Sequence, residues 1–204
     1  MSEKISIIDY GAGNVYSLYN SLKYIGYKSK ITNEKKDISK SDVIILPGVG
    51  AFNLAIKSLK KLKLIEVIEE HTRNKKKFLG ICLGMQLMAK VGYEHGTSEG
   101  LGIIDCEVKK IKTVKNYQLP HVGFNKVKIK SNMLLFKYIE DNSYFYFNHS
   151  FAIKSVLKEK NYTTSFHGEK FISSYEKDNI FATQFHPEKS QTNGLQLLKN
   201  FISI

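Results

Sequence analysis

The sequence contains few cysteines and no long apolar segment, and these absences limit the kinds of protein it can be. Only Cys82 and Cys106 occur among the 204 residues. The first residues carry no apolar stretch of the kind that directs secretion, so we expect a cytoplasmic protein whose thiols stay reduced. No apolar run approaches the roughly 20 residues that a membrane-spanning helix needs, which argues against an integral membrane protein.

Arginine is also scarce. Arg73 is the only one, so the formal net charge of +12 comes almost entirely from lysine. The lysines are scattered, and no zinc-knuckle, helix-turn-helix or aromatic RNA-binding pattern accompanies them. We interpret them as solvated charges that can steer phosphorylated or acidic partners, and we expect no nucleic-acid partner. Because the histidines and cysteines lack the spacing of a metal site, we expect no metal either.

The composition is that of an ordinary globular domain, with 42% hydrophobic and 25% charged residues, and its length favours one domain over residues 1–204. The first half alternates between strand-like and helix-like segments. Strands are predicted at 5–10 and 41–46, and helices at 15–24 and at 52–72, the latter broken near Lys63. This alternation predicts an α/β fold with a mostly parallel, twisted sheet flanked by helices.

The second half has a different pattern, in which short strand-like runs are separated by polar turns. Strands are predicted at residues 100–104, 106–113, 126–130, 144–151, 162–166 and 171–175. Such runs indicate an antiparallel portion added to the same domain. Residues 180–185 are then predicted to return to the main sheet, and a final helix is predicted at 192–202.

An apolar run ends at Cys82, which lies between Gly80 and Gly84, and a helix is predicted to continue to Val91. Small residues two positions to either side of a nucleophile are typical of a nucleophile elbow, a sharp strand-to-helix turn. The turn projects the side chain into a cleft and directs the next N–H, that of Leu83, towards the same point as an oxyanion donor. A buried structural cysteine would also fit this pattern.

His186 and Glu188 lie about a hundred residues further on, either side of Pro187. Because proline disfavours helix, both side chains can project to one side of an extended or turning chain. A cysteine nucleophile, a histidine base and a carboxylate that orients it form a triad in the general sense. Taken singly, His186 also fits a surface histidine and Glu188 a solvated charge. Together with the elbow they predict a cysteine-based catalytic site.

Six motifs along the chain resemble those of the class I (triad) glutamine amidotransferases, and more narrowly those of the glutaminase subunits of imidazole glycerol phosphate synthase, from histidine biosynthesis. The motifs are DYGAGN (9–14), LPGVGAF (46–52), GICLGMQ (80–86), PHVGFN (120–125), YFNHS (146–150) and QFHPEKS (184–190). The resemblance covers nearly the whole chain and implies a flavodoxin-like α/β fold. It also implies hydrolysis of L-glutamine without a cofactor, and transfer of ammonia to a β/α-barrel cyclase subunit in a heterodimer.

The resemblance also implies roles for individual residues. Cys82, His186 and Glu188 are expected to form the triad. The oxyanion hole and glutamine site are expected to comprise Gly48, Val49, Gly50, Leu83, Gln86, Glu94, His149, Ser150 and Phe151. Gln86 is one helical turn beyond Cys82, and Glu94 is expected near the end of the same helix. We predict that Asn14 and Lys189 contact the partner.

Two segments depart from the pattern usual in the histidine-pathway subunits. In the first, Val122 and Phe124 occupy positions where methionine and tryptophan are usual; in the second, Asn148 occupies one where valine is usual. Both can lie on a surface that faces the synthase. A second interpretation therefore remains, in which the chain is a related glutaminase that supplies ammonia to another synthase, such as one that builds amidino sugars. Two further interpretations remain, a cysteine peptidase or hydratase and a catalytically silent binding protein. Gln86 argues against the first, and the intact triad argues against the second.

Overall fold

The computed structural model describes residues 3–112, 114–129, 132–154 and 161–204. The strands are β1 (Ile5–Ile8), β2 (Ser29–Thr32), β3 (Val43–Leu46), β4 (Lys77–Ile81), β5 (Ala89–Gly92), β6 (Ser98–Glu99), β7 (Ile104–Lys110), β8 (His121–Lys126), β9 (Tyr144–His149), β10 (Phe151–Ile153), β11 (Tyr162–His167), β12 (Glu169–Lys177) and β13 (Ile180–Thr183). The α-helices are α1 (Val15–Tyr24), α2 (Lys35–Ser39), α3 (Phe52–Lys61), α4 (Ile65–Arg73), α5 (Leu83–Leu87) and α6 (Gln191–Ser203). Two 3₁₀ helices span Leu134–Phe136 and Pro187–Lys189.

Seven strands form the central sheet, in the order β11-β12-β13-β4-β3-β1-β2. The five strands from β13 to β2 are parallel, whereas β12 and β11 extend the sheet antiparallel. A four-stranded sheet in the order β10-β7-β5-β6 and a β8-β9 ribbon lie beside it. The predicted α/β class, with a mostly parallel sheet and an antiparallel portion, is confirmed.

The inner parallel strands β1, β3 and β4 are largely apolar on both faces because helices cover both faces. Successive strand residues point to opposite sides. Ile8 and Ile44 therefore belong to a core with α3, α4 and α5, and Ile7 and Ile45 belong to a second core with α1 and α6. With both faces covered, the edge formed by the carboxyl ends of the strands is where a ligand can bind.

Several predicted elements are confirmed closely. Helix α1 has the predicted bounds, and α6 lies within one residue of them at each end. The predicted break in the third helical segment separates α3 from α4, where Lys63 has a φ of 54°. A left-handed residue cannot continue a right-handed helix, which explains the break.

The prediction of a long helix after Cys82 was wrong. Helix α5 ends at Leu87 and the chain continues as strand β5. The backbone there is paired by tertiary contacts: Leu101 N–H donates to the Leu87 carbonyl at 2.8 Å, and Gly102 N–H donates to the Ala89 carbonyl at 3.1 Å. These bonds replace those that a longer helix would form. Glu94 consequently lies beyond β5 and not at a helix end.

The other errors concern the second half. Residues 100–103, predicted as a strand, are irregular, and β7 begins only at Ile104. The strand predicted at 126–130 lies earlier in the chain, as β8, which ends at Lys126. The predicted strand at 144–151 divides at Ser150 into β9 and β10, which belong to different sheets. Thr113 and Lys130, the ends of two predicted strands, lie outside the described residues. The short polar elements β2 and α2 were not predicted.

In the described ranges of the chain, no helix has the length and apolarity to cross a membrane. Cys82 and Cys106 are both buried free thiols.

Candidate active site

Cys82 lies at the tip of a strained turn between β4 and α5. Its backbone has φ 54° and ψ −107°, a region that non-glycine residues rarely occupy, and the side chain is 3% exposed. Strain of this kind persists only where surrounding structure enforces it, and it is concentrated at functional sites. The predicted elbow geometry is therefore present.

The two glycines around Cys82 are required by close packing of the elbow. A Cβ atom on Gly80 would lie 2.8 Å from the Gly84 carbonyl oxygen. A Cβ atom on Gly84 would overlap the carbonyl oxygen of Leu46, the last residue of β3. Neither neighbour is a flexible side chain, so the backbone itself would have to move.

We expect Gly84→Ala to lower the free energy of unfolding by about 3 kcal/mol, the upper end of the usual cost of overpacking. Helix propensity alone predicts the opposite sign, because alanine stabilises a helix more than glycine does. Gly26→Ala is the matched control, because Gly26 has a φ of 92° but open space around its Cα; only about 1 kcal/mol of backbone strain is expected there. Urea denaturation of both variants measures the difference, and equal losses would refute the packing argument.

His186 and Glu188 form a buried pair beside the elbow. His186 Nδ1 lies 2.8 Å from Glu188 Oε1, and the two side chains are 3% and 4% exposed. The 3₁₀ turn begun by Pro187 allows this contact, as the sequence predicted. The His186 backbone is held by Tyr146, whose carbonyl accepts its N–H at 2.9 Å, and by the Ser190 hydroxyl, which donates to its carbonyl at 2.6 Å. Within the described part of the chain, His186 Nε2 makes no hydrogen bond of regular geometry.

Electrostatics favour the protonated form of His186. Burial opposes the imidazolium, but the negative charge of a Cys82 thiolate and the contact with Glu188 outweigh it and raise the pKa of His186 to about 10. The His186 ring is therefore an imidazolium near neutral pH when a thiolate lies beside it. Strand pairing produces this proximity, because β4 and β13 are neighbours and Cys82 N–H donates to the Thr183 carbonyl at 2.7 Å.

Gln184 is a site residue that the sequence reasoning missed. Its Nε2 donates to Cys82 Sγ at 3.6 Å, and its Oε1 accepts from Gln86 Nε2 at 3.0 Å. Gln86 Nε2 also donates to the Phe151 carbonyl at 2.8 Å. The predicted residues Gln86 and Phe151 are thus joined to each other, and Gln184 links them to the thiol. Its position at the end of the predicted strand 180–185, two residues before His186, was the available signal, since alternate residues of an extended chain share a face.

The predicted oxyanion segment follows β3 and lies against the elbow. Leu83 N–H donates to the Gly48 carbonyl at 3.3 Å, so this donor is occupied. Gly50 has a φ of 114°, and Val49 is exposed. The N–H groups of Val49 and Gly50 have no backbone hydrogen bond among the residues that the structure describes. The segment therefore lies beside Cys82, but its Gly48 carbonyl accepts a hydrogen bond from Leu83 N–H, the first predicted oxyanion donor.

His149 is bound by its neighbours and not directed to solvent. Its Nδ1 lies 2.8 Å from the Phe151 carbonyl and its Nε2 lies 3.1 Å from His121 Nδ1. Burial lowers the pKa of His149 to about 4 and that of His121 to about 3. Both rings are therefore neutral, with each Nδ1 carrying a proton. The role of His149 is then to support the Phe151 carbonyl, which also holds Gln86.

The remaining predicted residues make no side-chain hydrogen bond with Cys82 among the described residues, and they contact other parts of the chain. Glu94 Oε2 accepts the N–H of Phe52 at 2.9 Å, so it fixes the start of α3 just beyond the glycine-rich segment. Ser150 is half-buried, and its carbonyl accepts the N–H of Ile111. Asn14 is exposed and caps α1. Lys189 is exposed, with its Nζ 5.6 Å from the centre of the Tyr146 ring. Across the described ranges, no cluster of three or more metal-ligating side chains occurs.

Comparison with known proteins gives the family of the chain. Residues 6–204 match the family model for Glutamine amidotransferase class-I. The chain is 47% identical over 201 residues to Imidazole glycerol phosphate synthase subunit HisH 1 of Campylobacter jejuni strain RM1221, covering 98% of this chain and 100% of that protein. It is 44% identical to the HisH subunit of Caldanaerobacter subterraneus, covering 97% and 96%.

Solved structures share the fold at low sequence identity. A chain in the structure of PurLQS from Thermotoga maritima superposes with a TM-score of 0.76 at 15% identity, covering 100% of this chain and 99% of that one. A glutamine amidotransferase from the same organism gives a TM-score of 0.66, also at 15% identity, covering 100% and 82%. At this identity the superpositions support the fold alone. The family match over nearly the full length decides the classification: this chain belongs to the class I glutamine amidotransferases.

Proposed function

We propose that this chain is the glutaminase subunit of an imidazole glycerol phosphate synthase, and that it hydrolyses L-glutamine to glutamate and ammonia at Cys82. The names of relatives that match it over nearly their whole length support the subunit and its pathway, histidine biosynthesis. The observation that carries the chemistry is the strained Cys82 elbow beside the buried pair of His186 and Glu188.

In the first half-reaction, the Cys82 thiolate attacks the side-chain carboxamide carbon of glutamine, and the carbonyl electron pair moves to oxygen as the C–S bond forms. When the intermediate collapses, the C–N bond breaks. The leaving nitrogen takes the Nε2 proton of the His186 imidazolium and departs as ammonia. The raised pKa of His186 supports this role, because the proton is in place before the attack.

In the second half-reaction, water attacks the γ-glutamyl thioester while neutral His186 accepts its proton at Nε2. The C–S bond breaks, which releases glutamate and restores the thiolate. Glu188 keeps the proton of the ring on Nδ1, so that Nε2 is the atom that exchanges protons. The interactions of the His186 ring with Glu188 at Nδ1 and with Cys82 support Nε2 as the atom that faces the thiol.

The oxyanion of each intermediate would be stabilised by the N–H of Leu83 and by those of Val49 and Gly50. Losing one such donor typically slows a reaction about 10²- to 10³-fold. Because Leu83 N–H is bonded to the Gly48 carbonyl, we expect this state of the isolated chain to turn over slowly. The Gly48 carbonyl must leave Leu83 before the oxyanion hole is complete.

A second protein is proposed to cover the site. Val122, Phe124 and Tyr144 expose 55%, 47% and 51% of their surface on the β8-β9 ribbon. The ribbon adjoins the triad directly, since the Tyr146 carbonyl accepts His186 N–H. Contiguous exposed apolar side chains beside a catalytic site are typical of a protein interface. We assign this ribbon face to a partner subunit.

The proposed partner is a β/α-barrel cyclase subunit that forms a heterodimer with this chain and receives the ammonia. Ammonia and a phosphoribulosyl-formimino carboxamide nucleotide would give imidazole glycerol phosphate and an aminoimidazole carboxamide nucleotide. Asn14 and Lys189, both exposed, are proposed contacts. Phe124 and Asn148 are exposed on the ribbon, so the two departures from the usual pattern favour a different synthase as the second candidate.

Residues 1–204 are proposed to act as one domain in the cytoplasm. The two cores lie on opposite faces of the same seven-stranded sheet, which supports a single folding unit.

Glutamate release from glutamine tests the proposal, measured with the chain alone and with a histidine-pathway cyclase and its nucleotide ligand. We expect the chain alone to release glutamate slowly. In the complex the rate should rise at least about 100-fold, which is the rate effect typical of one oxyanion-hole donor. The chain with Cys82 replaced by alanine is the control. If another synthase stimulates release but the histidine-pathway cyclase does not, the result would support the second candidate, a glutaminase of a different synthase. If no glutamate is released under any condition, the glutaminase function is refuted.

A further inference from the structure

Tyr10 has a hydroxyl group that the packing of the chain does not explain. The residue follows β1 and is 1% exposed, with its ring in the core that contains Leu46 and Leu83. Its hydroxyl is buried and has no hydrogen-bond partner among the described residues. A buried unpartnered hydroxyl destabilises a fold, whereas phenylalanine would fill the same space without that cost.

The hydroxyl lies against the predicted oxyanion segment. A Cβ atom added to Gly48 would overlap the Tyr10 hydroxyl oxygen, so the two groups are in direct contact. The Tyr10 backbone is also anchored, because the Ser58 hydroxyl donates to its carbonyl. Burial, followed by the nearby charge of Cys82, raises the pKa of Tyr10, and the phenol remains a proton donor.

The Gly48 carbonyl accepts the N–H of Leu83 in this state. The C=O and N–H of a trans peptide point in opposite directions. A turn of the peptide between Gly48 and Val49 would therefore free Leu83 N–H and redirect Val49 N–H in a single movement. The carbonyl that leaves Leu83 then needs a new donor, since a buried carbonyl without one is costly.

We propose that the Tyr10 hydroxyl is that donor. Tyr10 is a positioning residue that takes no part in the bond changes, and it holds the Gly48 carbonyl away from Leu83 when the segment turns. The hydroxyl is unpartnered among the described residues in the resting state and partnered in the reactive state, so it biases the segment towards the reactive one. This inference rests on the glutaminase function proposed above.

Tyr10→Phe, studied in the complex with the cyclase and its nucleotide, tests the inference. Loss of one hydrogen bond that exists only in the reactive state should lower kcat roughly five- to tenfold. KM for glutamine should not change. The melting temperature should stay the same or rise, because the variant removes an unpartnered hydroxyl from the resting state. Alkylation of Cys82 by iodoacetamide, which needs no oxyanion hole, should proceed at the wild-type rate.

Tyr27→Phe is the matched control, because the Tyr27 hydroxyl contacts Ser203, remote from the elbow, and its removal should leave kcat unchanged. An unchanged kcat in Tyr10→Phe would overturn the inference. A lower kcat accompanied by a lower melting temperature and slower alkylation would also overturn it, since that combination indicates damaged packing. A wild-type complex that releases no glutamate would instead refute the glutaminase function, and the two failures are therefore distinguishable.

Discussion

Replacing Cys82 with alanine is expected to abolish glutamate release from glutamine, with a loss of about 10⁶-fold, comparable to removal of a triad nucleophile in other hydrolases. Alanine has no group that can form the thioester. Synthesis by the complex from added ammonia should continue at the wild-type rate, because ammonia bypasses the glutaminase step. The measurement compares glutamine-dependent and ammonia-dependent product formation by the same complex.

Cys106→Ala provides the matched control for this substitution. Cys106 is buried on β7, and burial, with the charges of Asp105 and Glu107, raises the pKa of its thiol to about 12. It therefore remains protonated and is not a competent nucleophile. Glutaminase activity should survive in Cys106→Ala. Glutamine-dependent synthesis in Cys82→Ala, or its loss in Cys106→Ala alone, would mean that the nucleophile has been misassigned.

His186→Asn is expected to lower kcat for glutamine hydrolysis by at least about 10⁴-fold, the upper range for general acid–base catalysis. Asparagine has no group that titrates, so it cannot protonate the leaving ammonia or activate water. The Cys82 sulfur also loses the imidazolium beside it, and its alkylation near neutral pH should become slower. Steady-state kinetics and alkylation rates between about pH 6 and 9, the range in which free histidine and cysteine side chains titrate, provide the measurement.

The same substitution at an exposed histidine, His95→Asn, should leave both rates unchanged. His95 has a φ of 55°, a conformation that asparagine tolerates. If His186→Asn retained most of its kcat, the general acid would have to be another residue. If it lost kcat while Cys82 alkylated as in the wild type, His186 would act on ammonia and water without affecting the thiolate.

The sequence was most informative where local geometry and chemistry coincide. Glycines on both sides of Cys82 predicted the nucleophile elbow, and the overlap at Gly84 explains why no larger residue fits. Pro187 between His186 and Glu188 predicted the turn that brings their side chains within 2.8 Å. Both features depend on a few consecutive residues, so one sequence was sufficient to identify them.

Features that depend on distant parts of the chain were not predictable in this way. Helix α5 stops early because residues 100–104, well beyond the helix along the chain, supply hydrogen bonds to its end. Gln184 is recognisable as a partner of the thiol only after β13 pairs with β4. Likewise, the sequence does not indicate that the Gly48 carbonyl accepts the N–H of Leu83, or that the Tyr10 hydroxyl contacts Gly48. Both contacts depend on how β1 and β3 end at the same edge of the sheet.

The most direct test of the account is to identify the covalent intermediate on the wild-type complex. The complex would be quenched in acid during turnover of glutamine, digested, and analysed by mass spectrometry. We predict a γ-glutamyl group on the peptide that contains Cys82, removable by hydroxylamine, and none on the peptide that contains Cys106. Glutamate release with the γ-glutamyl group on Cys106, or with neither cysteine modified under conditions that trap thioesters, would contradict the mechanism.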